Sequence, residues 1–410
     1  MGFNFNSLDE LIVCRNILAH DDIFTKGHGQ RNSSAANLIE RAETLGLGGN
    51  LYRSYLIYLL AHEPNLISTS IEMHGGKISE DLRKLFIHDI LSLLPILSSE
   101  LENFYLVSEP YIPTMPNQDE SLKNLMTALD EVYDTKPHTN EATKIADIFI
   151  EHYRNFGYGD IAAYRAFRWD ATTSSIIGIR HFESIRLDDL IGYVHQKELL
   201  TGNTSAFVDG KPANNVLLVG ARGTGKSSGV KALVNEYYAK GLRLVQITKP
   251  QLKSLPELME TLRRFMSKKF IIFLDDLSFE ESDAEYKYLK SAIEGGVESR
   301  PQNVLIYATS NRRHLIRETW RDRADGQDEI YRDDSVNENI SLSDRFGLII
   351  QYYAPTQTEY LEIIRSMLKR RGIKLDDETL RIEGLRWEMS HSGRNGRTAQ
   401  QFVNHYLGQR

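Results

Sequence analysis

The sequence predicts an α/β protein, with a P-loop parallel five-stranded sheet core between a helical N-terminal region and a helical C-terminal one. Three observations predict it. Five short apolar runs, at 216–219, 244–247, 270–274, 304–308 and 348–353, are separated by other segments, and the segments between the first four show helical periodicity. The first run leads into Gly220-Ala221-Arg222-Gly223-Thr224-Gly225-Lys226-Ser227, a complete G-x-x-x-x-G-K-[S/T] loop. The third run ends in two adjacent carboxylates, Asp275 and Asp276. Runs this continuously apolar read as strands buried on both faces. Their alternation with helices argues for parallel pairing in a doubly wound sheet.

Residues 1–170 read as a helical domain. Leu82, Leu85, Phe86, Ile90, Leu93 and Leu94 recur at helical spacing, and so do Ala142, Ile145, Ala146, Phe149, Ile150 and Tyr153. The histidines here (His20, His28, His62, His74 and His88) are scattered, as surface or capping residues are. The aromatic-rich stretch 153–169 is expected to pack one domain against the next. No motif in this domain names a partner, although partner selection is the role left to it.

Residues 185–355 read as the nucleotide-binding core. Glycines in the 220–227 loop let the backbone close around phosphate oxygens. Successive N–H groups and the positive end of the following helix favour the anion, so Gly220 through Ser228 are all expected at the ligand. Lys226 can reach β- and γ-phosphates, and the Ser227 hydroxyl can ligate Mg²⁺. The strand before Asp275 would set that acid at the carboxyl edge of the sheet, where ligands of such folds bind. Asp275 is expected to hold Mg²⁺, and Asp276 to orient the attacking water. The run 303–308 also ends in polar residues. Asn311 is the candidate to bond the γ-phosphate and water, with Thr309 and Ser310 behind it. Arg345, in Ser341-Leu-Ser-Asp-Arg-Phe-Gly347, could serve a neighbour's nucleotide or pair with Asp344.

Residues 356–410 read as a small helical lid. Thr356 and Glu359 make a capping box. Tyr360, Ile363, Ile364, Met367 and Leu368 follow on one face, and Gly372 marks the stop. Helical stretches are expected near 377–390 and 396–407. At the start of the last one, Arg397, and second to it Arg394, could reach back to phosphates.

Composition bounds the rest. At 410 residues the chain exceeds one typical core. Apolar content of 41% and charged content of 26% are those of a globular protein rather than a disordered one. A net charge of −7 excludes a uniformly basic nucleic-acid binder, so any such contact needs a local patch. Two basic runs offer one: Arg312, Arg313, Arg317, Arg321 and Arg323, then Lys369, Arg370 and Arg371. Acidic residues from Asp325 to Asp334 follow the first run closely. Cys14 is the single cysteine, which suits a reducing cytoplasm. No run approaches 18 apolar residues, and the N-terminal residues lack a signal pattern, so no membrane partner is expected.

The ordered set of P-loop, Asp275–Asp276 strand, Asn311 strand end, Arg345 box and Gly393–Arg397 element resembles the AAA+ ATPase superfamily. The resemblance covers residues from about 185 to 410. It implies ATP and Mg²⁺ as ligands, hydrolysis to ADP and phosphate, Arg345 as a finger acting on a neighbouring copy, and a homo-oligomeric ring or open helical assembly. It also implies that Ile191 and Tyr193, in Leu187-Asp-Asp-Leu-Ile-Gly-Tyr193, flank the adenine. The segments 273–280, 308–315 and 341–348, with 158–169, are similar to a bacterial AAA+ family of unknown function. Two departures matter. Asp276 stands where most members carry Glu. The stretch 249–256 has no aromatic residue and no glycine, which counts against a protein-threading motor and favours initiator-like or helicase-loader-like relatives. The expected function is an ATPase that assembles or remodels a protein or nucleoprotein partner. The alternatives are a nucleotide-gated switch with little turnover and a DNA-associated loader.

Overall fold

The computed structural model describes residues 10–20, 31–98, 110–134, 140–280, 285–294, 300–311, 316–317, 345–391 and 393–409. His28, the basic residues Arg312, Arg313, Arg321 and Arg323, the acidic run behind them, and residues 341–344 lie outside this set. So does the side chain of Arg317. Two compact units divide the chain. One is Met1–Arg165 with Ala239–Gly241 and Arg264–Lys268; the other is Ala166–Tyr238, Leu242–Arg263 and Lys269–Arg410.

The first unit is helical: α1 (Arg31–Leu45), α2 (Leu51–His62), α3 (Leu66–Met73), α4 (Glu80–Leu97), α5 (Glu120–Asp134), α6 (Glu141–Asn155) and α7 (Gly159–Ala163). Phe86, Ile90 and Leu93 of α4 are buried with Ile145, Phe149 and Tyr153 of α6, so the helical spacing marks the packed faces. The buried Asp89 carboxylate accepts the N–H groups of Ile12, Val13 and Cys14, which ties the incoming chain to α4. Lys268 is fully buried. Its ammonium donates to the carbonyls of Tyr153 and Arg154 and lies 3.0 Å from the Glu72 carboxylate, so the charge is paired rather than stranded. His20 sits on Glu63 at 2.6 Å, and His62 between the Tyr58 carbonyl and Asp119.

The second unit is built on a seven-stranded sheet. Its strands are β1 (Ala166–Asp170), β2 (Ser175–Gly178), β3 (Val216–Gly220), β4 (Leu242–Ile247), β5 (Lys269–Leu274), β7 (Val304–Ser310) and β9 (Leu348–Tyr352). The order is β2-β1-β4-β5-β7-β3-β9. The short β6 (Phe279–Glu280) and β8 (Ile316–Arg317) pair separately. All neighbours in the large sheet run parallel except β1 and β2. The five expected strands are all present. The expected count of five is corrected to seven: Ala166–Asp170, at the end of the aromatic stretch, pairs with β4 and folds back through β2.

Helices α8 (Val194–Val208), α9 (Lys226–Tyr237), α10 (Leu255–Arg263) and α11 (Glu285–Glu294) connect or flank these strands. Residues 216–219, 270–274 and 304–310 are buried at every position, as strands with both faces covered must be. Burying such a Val, Leu, Ile or Phe contributes roughly 1.5–3 kcal/mol each. The last three helices, α12 (Gln357–Arg370), α13 (Asp377–Met389) and α14 (Gly396–Gly408), share a small core of Tyr360, Ile364, Leu368, Leu380, Ala399 and Phe402. The Thr356–Glu359 capping box opens α12, and Gly372 beyond its end has φ +74°.

Candidate functional site

Strand order brings the site together. Loops after β5, β7 and β3 leave the same edge of a parallel sheet, and these three strands are adjacent. The acidic pair, the 309–311 strand end and the P-loop are therefore neighbours, about 4.8 Å apart per strand. They face a cavity of about 860 Å³ in the second unit.

Gly220 ends β3 with φ +136°, and a Cβ there would lie 1.8 Å from the Tyr352 carbonyl oxygen on β9. Only glycine lets the chain leave the sheet at this point. Gly225, φ +89°, is the residue before α9, so the N–H groups of its first turn open onto the loop. Arg222, Gly223, Thr224, Gly225, Lys226 and Ser227 line the cavity, and Ser228 continues the wall. Gly220 and Ala221 contribute carbonyls instead: both accept from the Lys226 ammonium, at 2.8 and 2.7 Å.

Lys226 also donates to Asn311 Oδ1 at 3.2 Å, which engages all three of its protons. Burial lowers its pKa, and Asp276 and Asp275 act in the opposite direction. The site is thus an enclosed cation held by neutral acceptors, with two carboxylates near it.

The carboxylates are ordered by hydroxyls. Ser227 donates to Asp275 Oδ1 at 2.5 Å, and Thr309 donates to the same oxygen at 2.7 Å. Thr309 Oγ1 also accepts the N–H of Asp276 at 2.9 Å, and its carbonyl accepts the N–H of Leu277 at 2.7 Å. Asp276 has φ +54°, a left-handed conformation that costs a non-glycine residue about 1–3 kcal/mol. Its carboxylate accepts from the Asn311 amide and lies 3.8 Å from the exposed Arg222 guanidinium.

The opposite wall comes from the segment before α8 and from the lid. Ile191 and Tyr193 line the cavity, as do Ile363 and Met367 of α12. The Tyr193 hydroxyl donates to the Tyr353 carbonyl at 2.9 Å, and its ring lies 5.2 Å from that of Tyr352. Burial and then Glu359 push its phenol up to about 12. Arg370 and Arg371 are on this wall too. Arg370 donates to Asp189 Oδ1 at 2.6 Å and to the Asp188 carbonyl; Arg371 donates to Asn404. Arg397 is exposed and lines the cavity, whereas Arg394 pairs with Glu388 and does not.

The lid meets the P-loop directly. Gly396 N–H donates to the Gly223 carbonyl at 2.9 Å. The buried Asn395 side chain caps α14 at Thr398 N and lies where a Cβ on Gly223 would be, 2.5 Å away. Arg345 is outside the cavity and donates to Glu294.

Of the residues singled out in the sequence, the cavity gathers Ile191, Tyr193, Arg222–Ser228, Asp275, Asp276, Asn311 and Arg397, with Arg345 elsewhere. Arg370 and Arg371, in a basic run that the sequence offers equally to nucleic-acid phosphates, a subunit interface or a solvated helix face, line the cavity. A signal was there: Ile363, Met367, Arg370 and Arg371 fall at i, i+4, i+7 and i+8 on one helix face. Asn395 and the anchoring part of Thr309 have no such signal.

The core is a P-loop α/β fold with a helical lid. No curated protein sequence matches the chain. Solved structures similar to it include RuvB, the Holliday junction branch migration motor of Thermotoga maritima, at 19% identity and TM-score 0.36. That match covers 54% of this chain and 63% of the RuvB chain, less than two thirds of it. Two point variants of the same protein match with TM-scores of 0.38 and 0.35, at 19% and 16% identity. Each covers 54% of this chain, and 64% and 71% of the variant chains. Residues 162–410, well over half of the chain, match a family described as protein of unknown function (DUF815). The chain belongs to that family.

Proposed function

We propose that the second unit binds Mg-ATP in this cavity and hydrolyses it to ADP and phosphate. One observation carries the reading: a P-loop lysine, a hydroxyl–carboxylate pair and a second carboxylate with an amide beside it converge on one cavity. The residues fit both groups. Mg²⁺ takes one or two protein oxygens and completes its shell with phosphate and water, and Ser227 with Asp275 offers such a pair. When bound, the ion would neutralise charge on the β- and γ-phosphate oxygens. Lys226 would exchange a neutral acceptor for a phosphate oxygen, and the N–H groups of the first turn of α9 would take the rest. Asp276 would accept the proton of a water attacking the γ-phosphorus, and Asn311 would orient that water. Ile191, Tyr193, Ile363 and Met367 would enclose the base, and Arg397 would close on the phosphates from the lid.

Arg345, away from its own cavity, would act on the site of a neighbouring copy in a ring or open helical assembly. The partner remodelled by that assembly would be chosen by the first unit. With Arg370 and Arg371 committed to the cavity, a nucleic-acid partner would rely on the 312–323 run. Among the described residues no helix is long and apolar enough to cross a membrane. The lone Cys14, buried, suits the cytoplasm.

Phosphate release at saturating Mg-ATP tests the reading. Lys226→Ala should lose turnover by about 100-fold or more; equal release from both proteins would sink it. One observation favours a second reading, a nucleotide-gated switch with little turnover. Asp276 is a methylene shorter than glutamate and is tied to Asn311. Tight ATP binding with turnover below about one per hour would select it, since typical enzymes run near 10 per second.

A further inference from the structure

Thr309 is buried at the end of β7, between the two acids. Its hydroxyl has one proton to give, and that proton goes to Asp275 Oδ1 at 2.7 Å. A lone pair of the same oxygen takes the Asp276 N–H at 2.9 Å. Its carbonyl takes the next amide, Leu277 N–H. One residue thus holds both successive backbone amides of the turn and the orientation of the first carboxylate. Asp275 Oδ1 receives two hydroxyl donors, from Ser227 and Thr309, and no hydrogen bond to Oδ2 is found among the described residues.

We infer that Thr309 is a positioning residue for the divalent ion: it turns the Asp275 carboxylate so that Oδ2 is presented to the metal shell, and it braces Asp276 in its left-handed turn. This rests on the Mg-ATP reading above. It assigns Thr309 a different part from that of a phosphate contact, because its proton is already committed. A ligand oriented from outside the coordination shell loses metal affinity when that support is removed, by about 10–100-fold.

The test titrates Mg²⁺ into full-length protein with a fluorescent, non-hydrolysed ATP analogue, and follows Mn²⁺ binding to the same complex by electron paramagnetic resonance. Thr309→Val keeps the shape and removes the hydroxyl; Thr309→Ser keeps the hydroxyl. The valine variant should need about tenfold more Mg²⁺ for half-maximal nucleotide binding, with metal-free affinity within about twofold of wild type. The serine variant should restore the wild-type metal dependence. If Thr309→Val does not fold, as judged by its melting transition, Thr309→Cys supplies the same size with a weak donor and is read in its place. A folded Thr309→Val protein with wild-type Mg²⁺ dependence overturns the inference, and so does a serine variant as defective as valine. A wild type that binds no nucleotide overturns this inference and the reading beneath it together.

Discussion

Asp276 answers to two demands that pull in different directions. Its backbone is left-handed at φ +54°, where asparagine, aspartate and glycine are the favoured residues, and its carboxylate faces the cavity beside Asn311. Glutamate would reach further but has no side-chain preference for that turn. Asp276→Asn separates the two demands. The amide keeps the left-handed preference and loses the proposed base, so melting temperature should stay within about 2 °C and nucleotide affinity within about threefold, while turnover falls by about 10²–10⁴. Calorimetry and phosphate release measure these; unchanged turnover removes Asp276 as the proton acceptor. Much of this neighbourhood is legible in the sequence, because strands that are apolar at every position can only end at the sheet edge, and that places Lys226, Asp275 and Asn311 on one rim. Thr309 is harder to read. A threonine at a strand end looks the same whether it faces a ligand or holds two neighbouring acids, and only the register of β5 against β7 decides which.

At the scale of elements, continuous apolar runs were the readable strands, and alternating ones were not. β1 is Ala166-Phe-Arg-Trp-Asp170, buried on one face with Arg168 exposed, and β2 is a four-residue edge strand. Their turn carries Ser174 at φ +47° instead of the glycine that marks a hairpin in sequence. The lid helices were readable from caps and periodicity, but their docking was not, since Asn395 looks like an ordinary N-cap. In the structure the same side chain packs against Gly223 of the P-loop, beside the Gly396 N–H bond to the Gly223 carbonyl. Asn395→Ala should therefore cost about 1 kcal/mol of stability, the usual loss for a cap, and also weaken nucleotide binding severalfold by releasing Gly223 and misplacing Arg397. The Arg370–Asp189 pair across the same cavity is about half exposed, so its removal should cost no more than about 1 kcal/mol. Thermal unfolding together with nucleotide titration distinguishes the two. An Asn395→Ala protein with lower stability and wild-type nucleotide affinity would show the cap serving α14 alone.

The whole molecule poses the question of how one chain's site is completed. Arg345 is the one proposed catalytic residue away from the cavity, and its guanidinium is paired with Glu294 of the same chain. Either that pair is its whole purpose, or it is the resting contact of a residue offered to another copy. Surface ion pairs contribute about 0–1 kcal/mol, so Arg345→Ala should unfold nothing; its effect should fall on turnover, by about 10³-fold or more if it stabilises transition-state charge. Mixing decides between the two. Arg345→Ala and Lys226→Ala should each be inactive alone. In a one-to-one mixture of assembled chains, a site with an intact P-loop faces an intact Arg345 in about a quarter of random pairings, so about that fraction of wild-type turnover should return. Recovery should vanish on dilution below the assembly concentration, which sedimentation with and without nucleotide would locate. A mixture as silent as its components, in chains shown to co-assemble, would assign Arg345 to the fold of its own subunit and leave the site complete within one chain.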